Sequence, residues 1–186
     1  ALKKKNCMVP SFDAVIQSDI PVGAGLSSSA ALEVVFAKAF NEIFQFHLSE
    51  MELTWIAKEA ENNFVGLQCG IMDMFASVHA KKDRAIKLDC RSLDFEYVPL
   101  ELGSNNILLI DTCVKHELAS SEYNQRRIEC ESAVLKMKQH GMQIHSLRDI
   151  AMEQVDEMKS ILSDDEFKRA KYVVEENNRL HQFVAA

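Results

Sequence analysis

Pro21 to Leu32 reads PVGAGLSSSAAL. Gly23 and Gly25 follow a proline, and Ser27, Ser28 and Ser29 precede an apolar run. Glycine lacks a Cβ and takes φ of either sign, so such a turn brings backbone N–H groups close to an anion. Behind it Ala30, Ala31, Val34, Val35, Ala39, Ile43 and Phe44 recur at helical spacing. That predicts a helix of about four to five turns with N-cap chemistry from Ser27 to Ser29. The helix start adds unpaired N–H groups and the positive end of its dipole, and one serine hydroxyl could ligate Mg²⁺. Ahead of the turn, Phe12 to Ser18 (FDAVIQS) is short and β-rich. Strand, glycine-rich loop and helix make a phosphate cradle by mechanism, although a plain glycine turn before a serine-capped helix has the same spacing. The stretch matches neither G-x-x-x-x-G-K-[ST] nor G-x-G-x-x-G.

Outward from this loop, Ser49 and Glu52 have capping-box spacing. Leu53, Ile56, Ala57, Ala60 and Phe64 continue a second helix that should end near Val65 and Gly66. A third, shorter helix is predicted over Gly70–Ala80 with Asp73 in its first turn. Strands are predicted at Ala85–Asp89, Glu96–Leu100 and Asn106–Asp111. Beyond Ser120 the pattern is helical: Glu122–His140, Ser146–Leu162 and Asp164–Val184. The composition shift between Leu100 and Asn106 marks the internal boundary of an α+β chain.

The 186 residues carry 21 Lys/Arg against 28 Asp/Glu, a net charge of −7, with 47% hydrophobic and 26% charged residues. This is the composition of a globular protein with a real core. Phosphate backbones are bound by clustered positive charge, so the acidic balance argues against a nucleic-acid partner. No apolar run approaches the roughly 20 residues of a membrane helix, which argues against a membrane partner. Lys3, Lys4 and Lys5 resemble a signal-peptide start, but Asn6, Pro10, Ser11 and Asp13 interrupt any apolar segment behind them. Cys7, Cys69, Cys90, Cys113 and Cys130 are odd in number and widely spaced, as reduced cysteines of a cytosolic protein are.

Three clusters could carry chemistry. Glu61, in AKEAENNF, is one of three acidic candidates on the second helix with Glu52 and Glu59. It could serve Mg²⁺ or simply face solvent. Asp73 lies in QCGIMDMF among Ile71, Met72, Met74 and Phe75, where a charge costs free energy unless paired. It is either a helix cap or a pocket carboxylate placed to take a proton from an attacking hydroxyl. Val114–Cys130, VKHELASSEYNQRRIEC, gathers Lys115, His116, Tyr123, Arg126 and Arg127 in a mostly acidic chain. The arginines could equally pair with Glu122 and Glu129 on a solvated helix face.

PVGAGLSSSAAL resembles the second motif of the GHMP small-molecule kinases, P-x-x-x-G-L-x-S-S-A. Ser27 stands where many members carry glycine, a variation similar to the galactokinase branch. CGIMD (Cys69–Asp73), DCRSL (Asp89–Leu93) and VKHELASSEYNQRRIEC resemble that branch as well. RAKYVVEENNRL (Arg169–Leu180) is similar to the family's R-A-x-H-V-x-x-E helix, with Tyr172 in place of His. Met74 departs from the branch, which has Gln there.

The resemblance implies a GHMP fold. Residues 1–102 would be the later part of a ribosomal protein S5 domain 2-like ATP-binding domain, and residues 103–186 the helix-rich start of a ferredoxin-like domain. It implies transfer of the γ-phosphoryl group of ATP to the anomeric hydroxyl of galactose in the cytoplasm. ATP would lie on Gly23, Gly25, Leu26, Ser27, Ser28 and Ser29, and Mg²⁺ on Ser29 and Glu61. Asp73 and Lys115 would be catalytic, and Gly70, Asp73 and Tyr123 would hold the sugar. A non-catalytic sugar sensor, or a kinase of the family for N-acetylgalactosamine or mevalonate, is the alternative; the intact serine loop favours the enzyme. The family's strings G-R-x-N-L-I-G-E-H-x-D-Y and its C-terminal glycine-rich motif do not occur. The chain is therefore expected to be the middle of a longer protein, inactive alone and self-associating through exposed sheet edges.

Overall fold

Ala30, Val34 and Ala37 recur every three to four residues and become the buried stripe of α1, Ser28–Phe44. Helix α2, Glu50–Ala60, starts on the expected box: the Ser49 hydroxyl accepts from the Glu52 amide and the Glu52 carboxylate accepts from the Ser49 amide at 3.0 Å. The helix then widens into a π-helical turn, Glu61–Val65, closed by the Gly66 amide donating to the Glu61 carbonyl at 3.0 Å. Gly66 takes φ 88°, which ends the element where the sequence predicts. Helix α3 spans Met72–His79. Ala30, Val34, Ala57, Cys69 and Met74 form one buried cluster, and Ala37, Leu53 and Ile56 a second.

The structure is a computed structural model that describes residues 1–110 and 122–185. It is α+β, with one antiparallel pair among the described residues: β1, Arg84–Leu88, and β2, Phe95–Pro99. Arg84 faces Pro99, Ile86 faces Tyr97 and Leu88 faces Phe95. The pair is pinned to α3 because the Tyr97 hydroxyl donates to the His79 carbonyl at 2.7 Å and Phe95 stands edge-on to Phe75 at 5.0 Å.

The chain divides into two packed units, Ala1–Ala119 and Ser120–Ala186, so the packing division falls later than the composition shift. In the second unit, α4 (Glu122–Gln139) packs against α6 (Asp164–Ala185). Their seam is built on Ala133, Met137, Ala170 and Val174. Ile144, Leu147, Ile150, Val155, Met158 and Leu162 complete that core from the connecting segment.

Three expectations are corrected. Phe12–Ser18 and 106–110 form no strands: Val15 is 100% exposed, and Ile107, Leu108, Leu109 and Ile110 are all exposed. An extended run becomes a strand only when a neighbour takes its backbone hydrogen bonds, and none does so here among the described residues. Asp111 lies outside them. Ser146–Leu162 is not one helix but two 3₁₀ turns, Leu147–Asp149 and Met152–Gln154, followed by the short α5, Val155–Met158. The Asp149 carboxylate accepts from the His145 and Ser146 amides at 2.8 and 2.9 Å, and the Gln154 side-chain carbonyl accepts from the Ala151 amide at 3.0 Å. These local bonds restart the turn twice in place of a continuous helical ladder.

Candidate functional site

The glycine-rich loop has the backbone its sequence demands. Gly23 and Gly25 sit at φ 78° and 77°, and Ser27 at φ 51° is also left-handed. This overturns the expected cap: the Ser27 side chain makes no capping hydrogen bond. A capping residue normally lies in the β region, where its oxygen turns back over the following amides. The first helical bond runs from the Ala31 amide to the Ser27 carbonyl. The amides of Ser28, Ser29 and Ala30 are therefore left without helical partners, at the positive end of α1. Leu26 is exposed, and Ser27, Ser28 and Ser29 are half-buried.

Glu61 opens the π turn and is only 1% exposed, which removes the solvated-face reading. Neither of its carboxylate oxygens has a hydrogen-bond partner among the described residues. Glu59, two residues earlier, behaves oppositely: it pairs with Lys4 and accepts from Asn63 on the outer face. π turns recur at functional sites because they re-aim one side chain without ending the helix. Facing Glu61 from α1 is Glu33, whose Oε2 is also buried and unpartnered. Burial, then the hydrogen-bonding reach and charge of Glu61, push the Glu33 carboxyl up to about 8. Sequence reasoning missed Glu33, although a lone acid inside AALEVVFA (Ala30–Ala37) was a signal.

Asp73 lies in the first turn of α3, where Ile71 is the N-cap and no side chain caps the helix. Its carboxylate is half-buried and makes no hydrogen bond among the described residues, so the capping reading does not hold. Only its backbone carbonyl is engaged, accepting from the Ser77 hydroxyl at 2.9 Å. Met72 is exposed, whereas Met74 is 2% exposed and packs with Ala30, Val34 and Ala57, so the Met that replaces Gln fills core. Gly70, just ahead, is exposed with open space beside it.

The carboxylates share one neighbourhood. The buried Cys69 thiol is pushed up by burial first and then by Glu61, with Asp73 and Glu33 adding and Lys58 opposing. Its Sγ donates to the Asn62 side-chain oxygen at 3.2 Å. Helix α1, the π turn and α3 thus bring Glu33, Glu61 and Asp73 around one thiol, in the unit that carries the serine loop. No group of three or more His, Cys, Asp or Glu among the described residues has metal-binding geometry. Mg²⁺ does not need one, since it keeps waters and binds through one or two carboxylates plus substrate phosphates.

Tyr123 belongs to the second unit, exposed in the first turn of α4. Arg126 pairs with Glu122 at 3.2 Å and Arg127 with Glu131 at 2.8 Å, while Glu129 pairs with Arg169 instead. Lys115 and His116 lie outside the described residues. An open depression of about 470 Å³ is lined by Cys130, Val134, Leu147 and Val173, and of the candidate residues Arg127 borders it.

Residues 1–81 match the family model described as "GHMP kinases N terminal domain". Over all 186 residues the chain is 46% identical to the galactokinase of Thermotoga neapolitana and covers 51% of it. It is 45% identical to that of Thermotoga maritima, again covering 51%. The chain therefore spans about half the length of the curated relatives it matches. Among solved structures it is similar to Lactococcus lactis galactokinase complexed with galactose, with TM-score 0.81 and 32% identity over 96% of this chain and 46% of that one. The serine loop, the order of the motifs, the family model and the fold agree in one likeness, that of this chain to the GHMP kinases.

Proposed function

We propose that this chain is part of an ATP-dependent sugar kinase that phosphorylates the anomeric hydroxyl of galactose. The observation that carries the reading is the pairing, in one packed unit, of an uncapped serine-rich helix start with a buried, partnerless Glu61. The first group accepts phosphate oxygens, and the second wants a cation. In this reading the amides and hydroxyls around Gly23, Gly25, Leu26, Ser27, Ser28 and Ser29 hold the triphosphate. Ser29 and Glu61 hold Mg²⁺, which would neutralise phosphate charge when bound.

Asp73 takes the proton of the sugar hydroxyl as its oxygen bonds to the γ-phosphorus and the bond to the ADP oxygen breaks. Its carboxylate is unengaged and half-exposed, as a group that must meet substrate should be. By the resemblance to the family, Lys115 would serve catalysis together with Asp73, and Gly70 and Tyr123 would serve sugar binding. Catalysis is then mostly positioning and charge neutralisation, as in phosphoryl transfer generally. Galactose as acceptor rests on the names of the relatives, and a cytoplasmic location on the resemblance to the family; among the described residues no helix is long and apolar enough to cross a membrane. Residues 1–102 are assigned to the ATP-binding domain and 103–186 to the following one. The exposed apolar run 107–110 is consistent with self-association of the chain alone.

The test is phosphate transfer from ATP to galactose, N-acetylgalactosamine and mevalonate by a protein of the relatives' full length carrying this sequence. Transfer to galactose alone is expected. Binding of galactose without transfer would replace the enzyme by a sensor.

A further inference from the structure

Glu33 sits four residues after Ser29, so the two share a face of α1 that looks toward the π turn. Its Oε2 and both oxygens of Glu61 are buried without a hydrogen-bond donor among the described residues. When both are ionised, the two carboxylates are acceptors only and cannot satisfy each other. Leaving such a pair buried is costly, so the site needs something positive between its two halves. The cation in the same neighbourhood, Lys58, does not supply it: its ammonium lies over the Trp55 ring at 5.2 Å. Two carboxylates from two elements, with the Ser29 hydroxyl one helical turn before Glu33 on α1, offer an all-oxygen donor set, which suits a small divalent cation.

We propose that Glu33 is the second protein carboxylate of the divalent-cation site, holding the cation from α1 opposite Glu61. The inference rests on the assignment of Glu61 to Mg²⁺. It gives α1 two tasks, presenting amides to phosphate at its first turn and a carboxylate to the cation one turn later. It also accounts for an acid in a helix face otherwise made of Ala30, Val34 and Ala37.

The test uses Mn²⁺ alone as probe, with free Mn²⁺ counted by electron paramagnetic resonance and thermal unfolding recorded with and without the ion. Wild type is expected to bind one Mn²⁺ and to unfold at a higher temperature with it. Glu33→Gln should bind at least about tenfold more weakly and lose most of the metal-induced shift. Its metal-free unfolding temperature should be close to that of wild type, because the amide keeps the shape of the side chain and a donor facing Glu61. Glu33→Asp, which keeps the charge, should bind better than Glu33→Gln and guards against a folding defect in the latter. If Glu33→Gln binds Mn²⁺ like wild type while Glu61→Gln does not, Glu33 is no ligand and the assignment of Glu61 survives. If neither substitution changes binding, both assignments fall.

Discussion

Glu166 offers the best measurable test of how the second unit is held together. It is 7% exposed and lies in the first turn of α6, where Ser163 and Glu166 form an S-x-x-E pair. Its carboxylate accepts from the Ser132 hydroxyl at 2.7 Å, the Lys136 ammonium at 2.8 Å, and the Ser163 amide and hydroxyl at 2.9 Å each. One side chain therefore caps α6 and bolts it to α4. The Lys136 and Ser132 bonds, with help from Ser163, hold the carboxyl at about 2 against an ordinary 4.5. Such a depression corresponds to about 3 kcal/mol at neutral pH. The Lys136 side chain is 42% exposed, and solvent screening brings the expectation for Glu166→Gln to about 2 kcal/mol.

The sign of the pH dependence follows. A depressed carboxyl stabilises the fold above its unfolded value, and that stability is lost as pH falls from about 4.5 toward 2. The variant should lack this loss. Urea unfolding read by hydrogen exchange at α4 and α6 amides, at pH 7 and in steps down to pH 3, measures both effects. A difference below about 0.5 kcal/mol at pH 7, or the same acid loss in Glu166→Gln, would refute the reasoning.

In a protein of the relatives' full length, Asp73→Asn should lower kcat by about 10²-fold or more with nucleotide affinity nearly unchanged; near-normal turnover would remove Asp73 from the chemistry. Glu61→Gln should weaken Mg²⁺-dependent ATP binding in calorimetry, whereas Glu59→Gln, whose carboxylate faces Lys4, should not. Gly25→Ala should cost about 1 kcal/mol through its left-handed φ, while Gly70→Ala, with open space and no such φ, should leave the melting temperature unchanged. The 186-residue chain by itself should show no measurable phosphorylation of galactose, because it contains neither the family's N-terminal string nor a substitute for its charged donors, each worth about 10² to 10³ in rate; turnover within about tenfold of a full-length relative would overturn this.

Local chemistry was legible in the sequence. The box at Ser49 and Glu52, the stop at Gly66, the buried stripe of α1 and the positive φ of Gly23 and Gly25 all depend on residues a few positions apart. Periodicity and turn chemistry report such short-range forces directly. Failures came where the outcome depended on distant partners. Phe12–Ser18 and 106–110 have strand-like residues, but a strand exists only when another strand takes its hydrogen bonds. The segment after Ser146 failed for a different, local reason: it has helical composition, yet side-chain bonds three residues apart broke it into turns.

The site divides along the same line. The serine loop, Glu61 and Asp73 were nameable from motif resemblance, but whether Glu61 faced water or the interior was not. The π turn decided that, by swinging Glu61 inward while Glu59 stayed with Lys4. Glu33 stood out in the sequence only as a lone acid among apolar residues, and its role was hidden for the same reason. Its meaning comes from Glu61, 28 positions along the chain, and only the packing of α1 on the π turn brings two carboxyls together where water cannot separate them.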